Sequence, residues 1–226
     1  MTAAPAVDVR FVEGPGHRLC FDFVNTEWAD HLGSGRINDE LGSGERREHL
    51  LRRWGYEALV GVKGLRAARA GRSALRQILE AWAANRPPPR QAVRELDRIL
   101  RRVEGGIAVE PARESVTMRL QPGRIDWSWL LTCAVASAVQ LMDSGERRRL
   151  KVCDNPSCSF LFYDESNNAT RRWCDPVVCG SLVRVRAHRA RQLAPDQRGA
   201  GRYPVAKKKW PISPPATSAR ASAKSG

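Results

Sequence analysis

The chain has 226 residues, of which 42% are hydrophobic, and this length is enough for one globular core with a small module attached. The formal net charge is +14, and residues 147–226 hold 17 Lys/Arg against 5 Asp/Glu, which places +12 in this third. Such a basic end indicates a polyanionic partner and favours nucleic acid over an anionic membrane. The longest nearly apolar stretch, 127–142, is too short for the roughly 20 residues of a spanning helix, and no secretory signal opens the chain. We therefore expect a protein of the reducing cytoplasm, where spaced cysteines are more often metal ligands than disulfides.

The first segments of the chain give mixed signals. Residues 1–10 are predicted to be a flexible N-terminus. Segment 16–28 is apolar, but its periodicity does not decide between helix and strand. Residues 33–44 are rich in glycine and serine and are predicted to form a loop. Helical patterning then runs from about residue 45 to residue 60.

Two further helices are predicted from apolar side chains that share one helical face. Their spacing of i, i+3, i+4 and i+7 is that of an amphipathic helix. The face consists of Leu75, Ile78, Leu79 and Trp82 in the first helix and of Leu96, Ile99, Leu100 and Val103 in the second. Proline residues 87–89 separate the two helices.

A hairpin and a central helix follow. Residues 107–110 and 115–120 are predicted to be two short strands that pair as a β-hairpin. Asp126 is a suitable N-cap for a helix over residues 127–142. Because this helix is apolar nearly all round, we expect it at the centre of the core.

Three polar side chains interrupt the first apolar segment and admit two interpretations. Asp22, Asn25 and Thr26 either line a ligand pocket or satisfy buried backbone groups and cap an element. The sequence shows no Ser/His/Asp order, phosphate-binding loop or paired carboxylates, and its 4 His have no metal-ligand spacing. We therefore expect a protein that is not an enzyme.

Four of the 6 cysteines form two C-x4-C pairs, Cys153 with Cys158 and Cys174 with Cys179. Four intervening residues allow one tight turn to present both thiolates to a single ion, and zinc takes four such donors in a tetrahedron. The insert between the pairs is long enough to form a short hairpin, with residues 160–163 as a strand. We expect a structural Zn²⁺, because four protein ligands leave no coordination position for water.

Other assignments of the cysteines stay open. An iron centre or redox dithiols would use the same four residues. Cys20 and Cys133 lie in apolar runs and are expected to be plain core residues. His188 offers another donor nitrogen, but four thiolates already close the site.

A basic helix is predicted directly after Cys179. Residues 182, 183, 190 and 193 fall on one apolar side, and arginines lie on the opposite side or flank it. Arginines on a helix held by a metal site can reach phosphates and guanine edges, whereas the alternative is a solvated helix without a partner. The predicted nucleic-acid contacts are Arg171, Arg172, Arg184, Arg186, His188, Arg189 and Arg191. Residues 195–226 are predicted to be a disordered basic tail.

Two motifs carry a resemblance to known families. The stretch LKVCDNPSCSFLFYDESNNATRRWCDPVVCGSLVRVRAHRAR resembles a CGNR zinc finger, and RLCFDFVNT resembles the opening of the ABATE domain that usually precedes that finger. The resemblance implies a stress-induced transcription regulator, mostly bacterial, whose N-terminal domain senses a ligand. The motif Cys-Gly-Asn-Arg is altered here to Cys-Gly-Ser-Leu at residues 179–182, so one arginine of the family pattern is lost.

These observations predict a mainly α fold with a small β-hairpin (α+β). An ABATE-like helical domain over 11–146 precedes a treble-turn zinc-binding module over 147–194. We expect a DNA-binding transcription regulator with a structural Zn²⁺, associated with the nucleoid. A small-molecule effector and a homodimer are further expected partners. The alternatives are a zinc-stabilised RNA-binding or protein-interaction module, and an enzyme or small-molecule-binding protein that acts through its N-terminal domain.

Overall fold

The computed structural model describes residues 19–56, 59, 61–111, 116–143 and 145–193, and for 107–111, 116–120 and 193 it describes the backbone alone. The expected flexible N-terminus over 1–10 and the expected basic tail over 195–226 lie outside the described residues. No helix in the described part of the chain is long and apolar enough to cross a membrane.

The described residues form six α-helices and three two-stranded antiparallel sheets. The helices are α1 (Leu19–Val24), α2 (Gly44–Arg53), α3 (Leu65–Ala83), α4 (Arg90–Leu100), α5 (Trp127–Asp143) and α6 (Cys179–Leu193). The strands pair as β1 (Glu27–Ala29) with β2 (Ile37–Asp39), β3 (Gly105–Pro111) with β4 (Val116–Pro122), and β5 (Leu150–Val152) with β6 (Leu161–Tyr163). This composition confirms the predicted α+β fold class, and the β3–β4 pairing confirms the predicted hairpin.

Helix α5 lies at the centre of the core, as its apolar sequence predicts. Trp127 and Leu130 are fully buried, and the helix contacts α1, α3 and α4. Asp126 caps its first turn, because its Oδ1 accepts hydrogen bonds from the backbone N–H of Ser128 at 2.9 Å and of Trp129 at 3.1 Å.

Helix α3 packs closely against α5 at Gly71. A Cβ atom at this position would lie 2.2 Å from Leu131 Cδ2, so any larger residue would force the Leu131 side chain to move. The predicted apolar face of α3 is confirmed, with Leu75 and Leu79 buried. On α4 the predicted face is confirmed up to Leu100, but Val103 lies beyond the end of that helix.

Helix α2 ends at Arg53, so its predicted extension to residue 60 was wrong. The chain leaves the helix at Gly55, whose φ of +72° is the left-handed conformation that favours glycine. Tyr56 N–H donates to the Leu51 carbonyl at 2.8 Å, and Gly55 N–H donates to the Arg52 carbonyl at 3.2 Å. These are the two hydrogen bonds of a Schellman motif, which ends a helix.

The segment predicted as a loop over 33–44 contains strand β2 and a 3₁₀ turn over Glu40–Gly42, so the prediction was wrong for these residues. The strand forms because buried Arg72, which is 3% exposed, holds both strands of the hairpin. Its guanidinium donates to Asp39 Oδ1 on β2 at 2.7 Å and to Glu27 Oε2 on β1 at 2.8 Å. A partner distant in sequence thus overrides the local composition.

Candidate metal centre and nucleic-acid interface

Two of the four predicted zinc ligands adjoin a strand or a helix, and the other two lie in loops. Cys153 directly follows β5, and Cys179 is the first residue of α6. Cys158 and Cys174 lie in the loops that lead away from the first pair and into the second. Cys153 and Cys179 are buried, whereas Cys158 and Cys174 are half-buried.

Short polar side chains shape the turn within each cysteine pair. In the first turn, Asn155 Oδ1 accepts from Ser157 N–H at 3.2 Å, and the Asn155 carbonyl accepts from Cys158 N–H at 2.8 Å. In the second, Asp175 Oδ1 accepts from Val177 N–H at 2.7 Å and from Val178 N–H at 2.8 Å. Asn and Asp favour such turns, so Asn155 and Asp175 are local sequence signals for the two turns, in addition to the cysteine spacing.

The four sulfur atoms have the geometry of a tetrahedral metal site. All four Sγ atoms lie within 4.8 Å of one another. Two of the edges measure 3.8 Å, between Cys158 and Cys174, and 3.7 Å, between Cys174 and Cys179. A tetrahedron of sulfurs with Zn–S distances of about 2.3 Å has edges of about 3.8 Å. The cysteines therefore fit a structural zinc ion.

Ionisation of all four cysteines depends on a compensating cation. A hydrogen bond from Cys158 lowers the pKa of the Cys153 thiol to about 2, and the same contact raises the pKa of Cys158 to about 12. The pKa of Cys174 is raised for the same reason, through its contact with Cys153. Four adjacent sulfurs do not all ionise by themselves, because like charges repel. A bound Zn²⁺ compensates the charge of four thiolates and makes the full set of ligands available.

A second layer of contacts orients the sulfurs. Cys174 N–H points at Cys153 Sγ at 3.4 Å, and Asn155 Nδ2 points at Cys179 Sγ at 3.5 Å. Gly180 packs against the Trp173 ring, where a Cβ atom would lie 3.2 Å from Trp173 Cε3. A side chain at this position would press on the Trp173 ring, which favours the glycine that follows the last ligand.

The insert between the two cysteine pairs is held by a buried ion pair rather than by a hairpin of its own. Strand β6 lies in the insert, as predicted, but it pairs with β5, which precedes Cys153. Lys151 Nζ donates to Asp164 Oδ2 at 2.6 Å and to the carbonyls of Ala169 at 2.6 Å and Arg171 at 2.8 Å. The Asp164 side chain is fully buried. Burial acts to raise the pKa of Asp164, but hydrogen bonds from Lys151 and Ser166 hold this pKa well below its usual range.

The module is docked onto the helical domain through a shared core. Leu150 on β5 and Leu161 on β6 are 2% and 1% exposed and belong to the same hydrophobic cluster as α1, α3 and α5. Arg76 on α3 donates to the Ser159 carbonyl at 2.6 Å and to the Val24 carbonyl at 2.7 Å. These contacts join residues far apart in sequence, so no local sequence pattern predicts them.

The three candidate pocket residues are all engaged within the protein. Asn25 Nδ2 donates to the Leu161 carbonyl at 2.8 Å, and Asn25 Oδ1 accepts from Leu161 N–H at 3.1 Å. Thr26 is 1% exposed and donates to the Phe23 carbonyl at 2.7 Å. Asp22 forms an ion pair with Arg53 at 3.4 Å. The structure therefore matches the interpretation in which these side chains satisfy polar groups, and ligand binding by them stays a prediction.

The predicted nucleic-acid contacts fall into two groups. Arg171 donates from Nε to the Trp173 carbonyl at 2.8 Å, and its guanidinium lies 5.0 Å from the centre of the Phe162 ring. Arg186 donates to the Leu32 carbonyl at 2.6 Å and to Asn155 Oδ1 at 3.2 Å. Both arginines hold the module together or attach it to the helical domain, and are not free side chains.

The other predicted contacts are exposed. Arg172 is 59% exposed and pairs with Asp154 at 2.8 Å, and Arg184 donates to Ser181 Oγ at 3.1 Å. His188, Arg189 and Arg191 are exposed on the outer half of α6. Contact of these residues with nucleic acid stays a prediction.

A four-cysteine zinc module joined to a helical domain defines the class of this protein. The CGNR zinc finger family matches residues 149–192, and the ABATE family, described as "Putative stress-induced transcription regulator", matches residues 17–145. The second match covers more than half of the chain, and the protein belongs to the ABATE family. No curated protein matches the sequence.

Proposed function

We propose that the protein binds duplex DNA through α6 and regulates transcription in this way. The observation that supports this most is the charge of the helix. Between residues 176 and 193 the sequence has four arginines and no acidic residue. Of these four, Arg184, Arg189 and Arg191 are exposed. Because the helix has no acidic side chains to neutralise its arginines, its positive charge is available to attract phosphates.

The attachment of α6 suits a helix that enters a groove. Zinc holds its first residue, Cys179, and Arg186 ties its second turn to the Leu32 carbonyl. Ala187 and Ala190 are also exposed, so the last two turns project from the module on all sides. An α-helix about 10–12 Å across fits a major groove about 12 Å wide.

The proposal assigns separate roles to the predicted basic residues. Arg184, His188, Arg189 and Arg191 contact DNA, and Arg172 does so from the edge of the module. Arg171 and Arg186 are positioning residues, because their hydrogen bonds are used within the protein. The zinc has no catalytic role in this proposal, since four thiolates fill its coordination sphere. The docked helical domain sets the position of α6, and a small-molecule effector would act through it.

The burial of the aromatic side chains argues against the RNA-binding alternative. Phe162 is 8% exposed and packs in the cysteine cluster, and Phe160 lies against Trp28 with ring centres 6.2 Å apart. Rings in these places offer little surface on which unpaired bases can stack. Competition between duplex DNA and RNA for the same protein distinguishes the two functions.

The proposal is tested by measuring binding of the zinc-loaded full chain to fluorescent duplex DNA between about 50 and 200 mM salt. We expect affinity to fall steeply with salt. The double change Arg184→Gln and Arg189→Gln should lower the slope of log K against log salt by about 2, at about 1 for each lost phosphate contact. The matched control is Arg94→Gln, which removes an exposed arginine on α4 and should leave the slope unchanged. Absence of salt-sensitive binding, or equal slopes for all variants, contradicts the proposal.

A further inference from the structure

Helix α6 carries an exposed aliphatic surface as well as its arginines. Leu182 and Val185 lie at i and i+3 and share one face of α6. Val178 directly precedes the helix, and its carbonyl accepts a hydrogen bond from Leu182 N–H at 3.1 Å. We call these three residues the aliphatic stripe. Val178 is 41% exposed, Val185 is 46% exposed, and Leu182 is half-buried. The neighbouring Val177 is 78% exposed. These side chains add little to the core of the protein, so their apolar surface is available to a partner.

The surroundings of the stripe indicate the chemistry of that partner. By the 100° spacing of a helix, Arg189 continues the line of the stripe towards the C-terminus, Arg186 and His188 lie along its two edges, and Arg184 lies on the opposite side of the helix. Arg189 and His188 are exposed. An aliphatic strip with a cationic border matches a surface that presents apolar groups between negative charges.

We propose that the aliphatic stripe contacts the methyl groups of thymines in the major groove and gives the protein a preference for thymine-containing sites. This inference rests on the proposed DNA binding through α6. The C5-methyl of thymine is the apolar group that base edges display in the major groove, and phosphates flank it on both sides. The stripe therefore meets methyl groups while Arg189, in line with it, meets a phosphate.

Leu182 is central to the preference. It stands where the Cys-Gly-Asn-Arg motif has its arginine, and Ser181 stands where the motif has its asparagine. An arginine at this place could form two hydrogen bonds to a guanine edge, whereas leucine offers apolar contact alone. The Ser181 hydroxyl instead accepts a hydrogen bond from Arg184 at 3.1 Å, within the helix. With leucine at this place, the side chain offers contact to a thymine methyl group and no hydrogen bond to a guanine edge.

A second copy of the chain fits this stripe less well than DNA does. The three aliphatic residues of the stripe expose at most about 200 Å², whereas a stable dimer buries about 800 Å² on each partner. A two-fold interface would also bring the same patch against itself, so that the bordering arginines would face like charges. A site on DNA can use this small surface for one or two contacts with thymine methyl groups, and its phosphates carry the charge opposite to that of the arginines.

The experiment selects the tightest duplexes for the zinc-loaded full chain from a randomised 20-bp library, and then replaces single thymines in them by deoxyuridine. Deoxyuridine lacks only the methyl group, so phosphates and hydrogen-bonding edges stay the same. We expect the selected sites to contain thymines, and one or two replacements to weaken binding by about four-fold each, which is the effect of one buried methyl group.

Variants link the effect to the stripe. Val185→Ala should reduce the discrimination between thymine and deoxyuridine towards one-fold, and Leu182→Arg should shift selection towards guanine. The control is Val93→Ala, which removes a 43% exposed valine on α4 and should leave the discrimination unchanged. Retained zinc and circular dichroism show that each variant is folded.

The outcomes separate the inference from the proposed function. Selected sites without thymine, or equal binding of thymine and deoxyuridine duplexes, overturn the inference and leave DNA binding intact. Failure of the protein to retain any duplex from the library overturns both. Sedimentation of the chain as a dimer that Val185→Ala converts to a monomer would assign the stripe to a second copy and overturn the inference.

Discussion

Replacement of Asn25 by alanine tests how the zinc module is attached to the helical domain. The Asn25 side chain forms two hydrogen bonds with the backbone of Leu161, at 2.8 and 3.1 Å. Leu161 is 1% exposed and lies on β6 of the module. The shorter alanine side chain leaves both the N–H and the carbonyl of Leu161 without this partner.

The expected loss follows from the burial of these groups. A typical hydrogen bond contributes about 0.5–1.5 kcal/mol net, and a buried group left without a partner costs about 1–3 kcal/mol. Asn25 itself is half-buried, so water replaces part of the lost interaction. We therefore expect Asn25→Ala to lower the free energy of unfolding by about 2–3 kcal/mol.

The measurement is urea unfolding of the zinc-loaded chain, followed by tryptophan fluorescence. The module and the helical domain share one core, so we expect a single transition whose midpoint falls by about 1 M. The matched control is Asn38→Ala, because Asn38 Nδ2 is a buried amide nitrogen without a hydrogen-bond partner among the described residues. A change of less than about 0.5 kcal/mol for Asn25→Ala, or equal changes for both asparagines, would refute this account of the docking.

Three further changes test other parts of the structure. Asp164→Asn leaves the Lys151 ammonium without its buried counter-charge and should cost about 3 kcal/mol in urea unfolding. Because the pKa of Asp164 is lowered in the folded state, its ion pair stabilises the fold fully above about pH 4. This stabilisation is lost as the pH falls through the folded-state pKa. If the difference in unfolding free energy between variant and wild type stayed unchanged far below about pH 4, this role of the ion pair would be contradicted. Gly71→Ala places a methyl group against Leu131 and should lower the free energy of unfolding by about 1–3 kcal/mol, despite the better helix propensity of alanine. An unchanged or higher melting temperature would count against the close packing of α3 and α5. Acid should release zinc as the thiolates take up protons, and the circular dichroism spectrum should then show loss of structure in the module. If zinc is released and the spectrum stays unchanged, the metal is not structural.

Local patterns predicted the helices that bury one face and the ligands that lie close together in sequence. The spacing of Leu75 and Leu79 indicated α3, and the apolar run after Asp126 indicated α5, because burial on one side leaves a period in the sequence. The two cysteine pairs indicated a metal site for a similar reason, since each pair meets the ion through one tight turn.

Long-range contacts could not be predicted in the same way. Strand β2 depends on Arg72, and Arg186 turns inwards because the Leu32 carbonyl accepts its hydrogen bond. Neither partner is close in sequence, so the loop prediction over 33–44 and the prediction of Arg186 as a nucleic-acid contact followed composition and helical spacing alone. The end of α2 at Gly55 was different, because a glycine at the C-terminus of a helix is a local signal that the sequence did contain.

The central claim is a structural zinc ion held by four thiolates at the base of α6. X-ray absorption at the zinc edge of the full chain tests it most directly, together with the zinc content per chain. We predict one zinc ion per chain with four sulfur neighbours at about 2.3 Å, and loss of the ion in Cys174→Ser. Nitrogen or oxygen neighbours at about 2.0–2.1 Å, or full zinc content in Cys174→Ser, would contradict the claim.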